Sequence, residues 1–388
     1  MTRPRVLVVI GTRPEAIKMA PVADALRERD DLVESAVALT GQHTDMVDQA
    51  LEAFSIAPDF DLGIMKSGQT LYDVGQGCME GLRDMIREFA PAMMLVQGDT
   101  ASVFFGSLVG FFERVPVGHV EAGLRSRNRW APYPEELFRQ MTDTLAELHF
   151  APTALARQHL LAEGVSDHSI HITGNTVVDA LMRLARGEAD IEDGVLAELL
   201  AGDASLVLLT AHRRESFGKP LRRVFRAVRD IADRCPHVRI IYPVHPNPQV
   251  VLPAREHLAD HPRVHLTDPL TYPDLLRALA RASLVLTDSG GIQEEAPTFG
   301  TPVLVLREVT ERPEGVAAGV ARLVGTDRDL IVGEALAALA DVNGEGDREG
   351  RFTNPYGDGN AAARIADIVV HRLAGVPRRT RDWLPQAQ

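Results

Sequence analysis

The stretch TDSGGIQEEAPTFGTPV, Thr287 to Val303, places a serine and two glycines just ahead of a pair of glutamates. It reads as a strand end, a small polar turn, a helix start and a second strand. Glycines at such a turn let an anionic ligand approach the backbone, and the N–H groups and dipole of a helix start attract phosphate. Ser289, Gly290 and Gly291, with free backbone N–H groups, are therefore candidate phosphate contacts. Glu295 is a candidate acceptor for ribose hydroxyls, as acidic residues are in nucleotide-binding lobes. The structural alternative is that Glu294 and Glu295 sit in the first helical turn and complement its dipole. No GxxxxGK[ST] loop and no GxGxxG precedes this helix, which disfavours ATP hydrolysis and a standard dinucleotide site.

Other chemistry-bearing residues follow apolar runs. His212, Arg213, Arg214 and Glu215 come directly after SLVLLTA. Three potentially cationic groups on one loop suit a phosphate, with a solvated, locally ion-paired loop as the alternative. Arg13 follows Gly11 in GTRPE, where Pro14 fits a first helical position; otherwise it is a surface arginine beside a helix cap. Asp99 follows MMLVQ and Glu121 follows VPVGHV, at strand ends where catalytic groups collect. Glu135 and Glu136 open a helix, where a carboxylate also simply favours the dipole. His245 lies between prolines in PVHPNP, as a ligand contact or a turn residue.

The elements that must position these groups alternate along the chain. Short Val/Ile/Leu runs such as RVLVVI, VESAVALT, VRIIYPV and SLVLT alternate with amphipathic helical patterns. That pattern predicts parallel sheets covered on both faces. It restarts after Ile172 to Thr176, with a fresh strand at Ser205. The fold class is thus α/β, two Rossmann-like doubly wound lobes, with ligands beyond the carboxyl ends of the strands. GTRPE, TGQH, GDT, HVEAG, TAHRRE, PVHP and DSGG all fall at such ends, which points to a shared cleft. The expected division is residues 1–173 as a lobe carrying carboxylates, 174–360 as a second lobe, and 361–388 as a closing helix and tail. GEGDREGR, Gly344 to Arg351, is expected to be an exposed loop. RRTRDWLPQAQ is expected to fray.

The chain has 388 residues, 45% hydrophobic and 24% charged, with net charge -13. An acidic balance argues against a nucleic-acid or membrane-surface binder. The two cysteines, Cys78 and Cys235, lack metal-ligand or CxxC spacing and fit a reducing cytoplasm. The N-terminal MTRPRVLVVIGTRPE has too short an apolar run for a signal peptide and reads as a first buried strand. No run approaches the roughly 18 apolar residues of a membrane span.

Taken together, GTRPEAIKMAP, TGQH, GDT, HVEAGLR, PEE, TGNTVVDAL, HRRESFG, TDSGGIQEEAP, PVLVLREVTERPE and NPYGDG resemble the non-hydrolysing UDP-N-acetylglucosamine 2-epimerases. They occur in the family's order from Gly11 to Gly359. The resemblance implies a glycosyltransferase-B-like fold with an interdomain cleft and a C-terminal helix crossing back onto the first lobe. It implies reversible interconversion of UDP-N-acetylglucosamine and UDP-N-acetylmannosamine through a 2-acetamidoglucal, with no cofactor and no metal. Asp99, Glu121, Glu135 and His212 match its catalytic positions, with the carboxylates at C2 and His212 near the pyrophosphate; which carboxylate serves which face stays open. Arg13, Lys18, Ser289, Gly290, Gly291, Glu295 and Arg312 match its substrate contacts. Leu275 stands where many relatives carry an aromatic against the uracil, so aliphatic packing replaces stacking.

Many bacterial members also bind a second UDP-N-acetylglucosamine as an allosteric activator. The matching positions are Gln42, Gln69, Arg213, Glu215 and His245, with Asp45 where some relatives have glutamine. A cytoplasmic homodimer serving polysaccharide biosynthesis is the family expectation. Three alternatives stand beside this reading: a UDP-sugar glycosyltransferase on the same fold, a hydrolysing epimerase releasing N-acetylmannosamine, and a nucleotide-sugar sensor with a dead site. Loss of a carboxylate would mark the sensor, and all three are present.

Overall fold

Val and Ile in unbroken runs suit strands buried on both faces, and the runs become strands of that kind. The computed structural model describes residues 3–41, 51, 54–64, 68–185, 191–342 and 353–384. They divide into two compact units, residues 1–180 with 356–388, and residues 181–355. Gln42, Asp45 and GEGDREGR lie outside the described residues.

The first unit holds seven parallel strands: β1 (Arg5–Ile10), β2 (Glu34–Leu39), β3 (Phe60–Asp61), β4 (Met93–Gln97), β5 (Val117–Val120), β6 (Leu148–Ala151) and β7 (Ile170–Ile172). Their order is β3-β2-β1-β4-β5-β6-β7, so the winding reverses between β1 and β4. Six described helices of its N-terminal stretch accompany them: α1 (Arg13–Arg27), α2 (Leu71–Phe89), α3 (Ala101–Phe112), α4 (Glu135–Leu145), α5 (Ala154–Ala162) and α6 (Thr176–Leu184), which runs across the unit boundary. α2 shows why these segments fold locally. Thr70 and Asp73 form a capping box at its start, and Val74, Cys78, Leu82, Met85 and Ile86 make one buried face. That face meets Leu7, Val9, Met94 and Val96 of the sheet.

The second unit holds six parallel strands: β8 (Ser205–Thr210), β9 (Val238–Pro243), β10 (Val264–Thr267), β11 (Ala282–Thr287), β12 (Val303–Val305) and β13 (Ala321–Leu323). Their order is β10-β9-β8-β11-β12-β13, reversing between β8 and β11. Its helices are α7 (Gly194–Ala201), α8 (Lys219–Arg234), α9 (Pro248–Leu258), α10 (Tyr272–Arg281), α11 (Gly290–Glu295), α12 (Pro313–Ala317) and α13 (Arg328–Val342). α8 buries Leu221, Val224, Phe225, Val228 and Ile231 against Leu209, Ile240 and Leu286.

The chain's last helix, α14 (Ala361–Ala374), packs on α1 of the first unit. Asp179 of α6 accepts the Ala361 and Ala362 amides at 3.2 and 2.8 Å, capping α14. The expectation of a frayed tail is wrong as far as Leu384. Asp367 accepts the Arg379 and Thr380 amides at 2.7 and 2.8 Å. Trp383, 6% exposed, donates its amide to Ile172 O at 2.7 Å, and Asp382 accepts the Ile172 amide at 3.1 Å. The tail is thus fastened along the edge strand β7. The final four residues lie outside the described ones. No described helix is long and apolar enough to cross a membrane.

Candidate active site

Both sheets present their polar turns where the strand order reverses, the position at which doubly wound sheets bind ligands. In the first unit, β1 ends in Gly11, and a Cβ there would lie 2.4 Å from Ser102 Oγ, so only glycine fits. Thr12 and Arg13 follow, with Arg13 half-buried. One helical turn on, Lys18 Nζ meets Glu121 Oε2 at 2.5 Å, with both side chains largely buried. Glu121 directly follows β5 with φ 66°, a left-handed conformation unusual for a non-glycine residue. Asp99 lies two residues past β4, where the last register pair is Gln97 with Val120. Neighbouring strands therefore deliver the two carboxylates. Arg139 of α4 ion-pairs with Asp99.

Glu135 and Glu136 look alike in sequence and differ in place. Glu136 is fully buried and accepts the Ser126 and Arg127 amides at 2.9 and 3.0 Å, so it fastens a loop. Glu135 is half-buried, with no hydrogen bond or ion pair among the described residues. Behind them, His119 faces Asp143 Oδ1 at 2.6 Å and Gly98 O at 2.8 Å, bracing the turn that bears Asp99. Burial alone would raise the Asp143 carboxyl, but His119 and Arg125 outweigh it and hold it below the usual range. Glu15 lies deeper still, and burial pushes its carboxyl up to about 7 against three hydrogen-bond donors.

In the second unit, Thr210 pairs in register with Thr287, their hydroxyls 2.6 Å apart. His212 and Asp288 follow these threonines on adjacent strands. Asp288, 1% exposed, accepts the His212 and Arg213 amides at 2.8 and 2.9 Å, and its Oδ1 lies 3.3 Å from His212 Nδ1. His245 stacks on His212 with centroids 5.5 Å apart. Its Nδ1 accepts the Asn247 amide at 3.2 Å, which leaves Nε2 to carry the proton of the neutral ring.

A cavity of about 520 Å3 is lined by His212, His245, Leu275, Ser289, Gly291 and Glu295, among others. It brings aliphatic Leu275 and carboxylate Glu295 together, as a base and a ribose would need. Tyr272 Oη donates to Glu295 Oε1 at 3.3 Å. Two sequence expectations are corrected here. α11 begins at Gly290 and carries no acid in its first turn; Glu294 and Glu295 close it instead. The Ser289 amide is not free, because it donates to Thr287 Oγ1 at 2.9 Å.

Glu294 is buried against Arg312, so Arg312 is already ion-paired and Glu295 alone of the two faces the cavity. Arg213, Glu215, Glu311 and Arg307 form a connected set, with Arg213–Glu311 at 3.4 Å and Arg307–Glu311 at 2.7 Å. Burial alone would raise the Glu311 carboxyl, but Arg307 draws it below its ordinary range. A Cβ at Gly290 would lie 3.2 Å from Glu311, so glycine permits this close approach.

The candidates thus fall into two groups. Arg13, Lys18, Asp99, Glu121 and Glu135 gather around the ends of β1, β4 and β5 and the start of α4. His212, Arg213, Glu215, His245, Ser289, Gly290, Gly291, Glu295, Leu275 and Arg312 belong to the second unit. Gln69 is half-buried just ahead of α2, and Gln42 lies outside the described residues. Sequence reasoning missed Glu15, Arg139, Asp288, Tyr272 and Glu311. Glu15 and Asp288 stood inside the motifs GTRPE and TDSGG, and Arg139 lies one helical turn after Glu135.

The chain is similar to known proteins along most of its length. A family model described as UDP-N-acetylglucosamine 2-epimerase matches residues 24–370. The UDP-N-acetylglucosamine 2-epimerase of Bacillus subtilis is 46% identical over 95% of this chain and 95% of its own. A crystal structure of UDP-N-acetylglucosamine 2-epimerase, 43% identical, superposes with TM-score 0.90 over 99% of this chain and 100% of that one. A Neisseria meningitidis UDP-GlcNAc 2-epimerase solved with UDP-GlcNAc bound is 39% identical, TM-score 0.80, over 94% and 99% of the two chains. The glycosyltransferase of kitacinnamycin shares the fold alone, with 14% identity and TM-score 0.61 over 96% and 100%. By the family match and these identities, the chain belongs to the UDP-N-acetylglucosamine 2-epimerase family.

Proposed function

We propose that this chain is a non-hydrolysing epimerase interconverting UDP-N-acetylglucosamine and UDP-N-acetylmannosamine. The observation that carries the reading is the pair of cation-held carboxylates at neighbouring strand ends, Asp99 with Arg139 and Glu121 with Lys18. The sugar C2–H has no adjacent carbonyl and is not acidic. Breaking the anomeric C1–O bond gives C1 oxocarbenium character and acidifies that hydrogen. A carboxylate takes the proton, the C1–C2 double bond of a 2-acetamidoglucal forms, and UDP leaves with the C1–O electrons. Delivery of a proton to the opposite face of C2, with UDP oxygen re-adding at C1, inverts the centre with no net redox change.

Asp99, Glu121 and Glu135 are the groups for these transfers. Arg13, Lys18, Gly290, Gly291, Ser289 and Arg312 are the groups for the diphosphate, and Glu295 and Leu275 for the nucleoside. His212, its Nδ1 turned to Asp288, offers Nε2 to the pyrophosphate as charge develops there. Anion-exchange chromatography of UDP-N-acetylglucosamine incubated with the protein tests the class. A conserved pool of two nucleotide sugars supports the proposal. UDP with free N-acetylmannosamine selects the hydrolysing branch, and sugar transferred to an added acceptor selects a glycosyltransferase.

A second UDP-N-acetylglucosamine acting as activator at Gln42, Gln69, Arg213, Glu215 and His245 belongs to the same proposal. Its support is that His245 stacks on His212, and Arg213 shares its turn and its Asp288 anchor. A ligand on those residues would bear directly on His212. The reverse reaction, started from UDP-N-acetylmannosamine alone, should show a lag that added UDP-N-acetylglucosamine removes; full initial rate without it contradicts the activator. A cytoplasmic homodimer serving polysaccharide synthesis completes the reading. Tyr72 and Phe112, both exposed, line an apolar groove of about 450 Å3 on α2 and α3, which supports self-association.

A further inference from the structure

Glu15 sits three residues after Thr12, the sequence spacing of a capping box. The structure uses it otherwise. The Thr12 side chain makes no cap hydrogen bond to α1. Its hydroxyl instead donates to Glu15 Oε1 at 2.9 Å, and the Gly11 amide donates to Oε2 at 2.6 Å. Both donors belong to the turn that carries Arg13. A third donor, Thr100 Oγ1, reaches Oε1 at 2.7 Å from the turn after β4, next in sequence to Asp99. The carboxylate is only 2% exposed. A helix cap alone would need no burial and no bond to another strand's turn.

We propose that Glu15 is a positioning residue for proton transfer at C2, tying the Arg13 turn to the Asp99 turn across the switch between β1 and β4. This role rests on the epimerase reading. A backbone amide only donates, so Oε2 accepts whether Glu15 is charged or neutral. A bound proton therefore sits on Oε1, where the two threonine hydroxyls can rotate to receive it. Burial pushes the carboxyl up to about 7, the three donors pull it down, and the charge of Asp99 adds to the rise. The titratable groups coupled to this carboxyl are Asp99, itself paired with Arg139, and Cys78 on α2. Burial pushes the Cys78 thiol up to about 11, with Glu15 adding to it. Near neutral pH the clamp thus passes between neutral and charged forms beside Asp99.

The test compares wild type with Glu15→Gln, Thr100→Val and Thr12→Val. It measures kcat and KM for UDP-N-acetylglucosamine epimerisation across pH, and the Kd of UDP by calorimetry. Glu15→Gln and Thr100→Val should lose roughly 10- to 100-fold in kcat, with the Kd of UDP within about twofold. Glu15→Gln should also lose the wild-type change of rate around pH 7. Thr12→Val leaves the bond to the Asp99 turn in place and should lose less than Thr100→Val. If Glu15→Gln does not fold, the two threonine variants decide. A wild type that turns over, with Glu15→Gln equal to it in kcat and pH profile, overturns this role alone. So does Thr12→Val losing as much as Thr100→Val. A wild type that does not epimerise overturns the epimerase reading and this role with it.

Discussion

Asp99 faces Arg139, a cation with no part in the proposed diphosphate set, so removing Arg139 should disturb chemistry more than nucleotide binding. Arg139→Met leaves Asp99 without its ion pair; kcat should fall about 100-fold while the Kd of UDP holds, as steady-state kinetics and calorimetry would report. Equal losses in both would make Arg139 a nucleotide contact. Glu15 also bears on stability. Its folded carboxyl stands at about 7 against 4.5 unfolded, so the folded state holds the proton more tightly. That contribution is complete below the unfolded value and is lost as pH rises through the folded one, on the order of 3 kcal/mol in all. Thermal melts should therefore show wild type losing more stability than Glu15→Gln between pH 5 and pH 8. At this scale Asp99 and Glu121 were legible because each directly follows an apolar run. Arg139 and Asp288 were not, because each acquires its role from a partner distant in sequence, Asp99 and His212. Glu294 and Glu295 are indistinguishable as letters, and only packing turns one to Arg312 and the other to the cavity.

Among the elements, strand runs were the most legible, since continuous Val/Ile/Leu stretches need both faces covered. The turn before α11 was legible too, but the position of its glutamates was not. The helix starts at Gly290 and is short, so both acids fall beyond its first turn. The tail was misread for a clear reason: Arg-Thr-Arg-Asp has no hydrophobic period. What holds it is side-chain-to-backbone bonding across 210 residues, from Asp382 to Ile172, with Trp383 buried alongside. Trp383→Ala should cost about 3–5 kcal/mol by chemical denaturation; a change below 1 kcal/mol, about the size of a surface effect, would mean the tail does not pack. The TGNTVVDAL segment has a structural use that its letters do not display. Asp179 caps α14, and Asp179→Ala should cost about 1 kcal/mol by orphaning two amides.

For the whole molecule, net charge -13 coexists with a doubly anionic diphosphate as the proposed ligand. The global field opposes that ligand, so on the proposed reading its binding rests on local cations, Arg13, Lys18 and Arg312. The apolar face lined by Tyr72 and Phe112 supports the proposed homodimer. Phe112→Glu should shift sedimentation from dimer toward monomer, whereas a wild type already monomeric removes the homodimer from the account. Proton NMR of UDP-N-acetylglucosamine with the protein in D2O follows the fate of the C2 hydrogen. UDP-N-acetylmannosamine with deuterium at C2 and no free sugar is the expected product. Epimerised product that keeps its protium at C2, or an unchanged substrate spectrum while UDP still binds, would contradict the proposed proton transfer at C2.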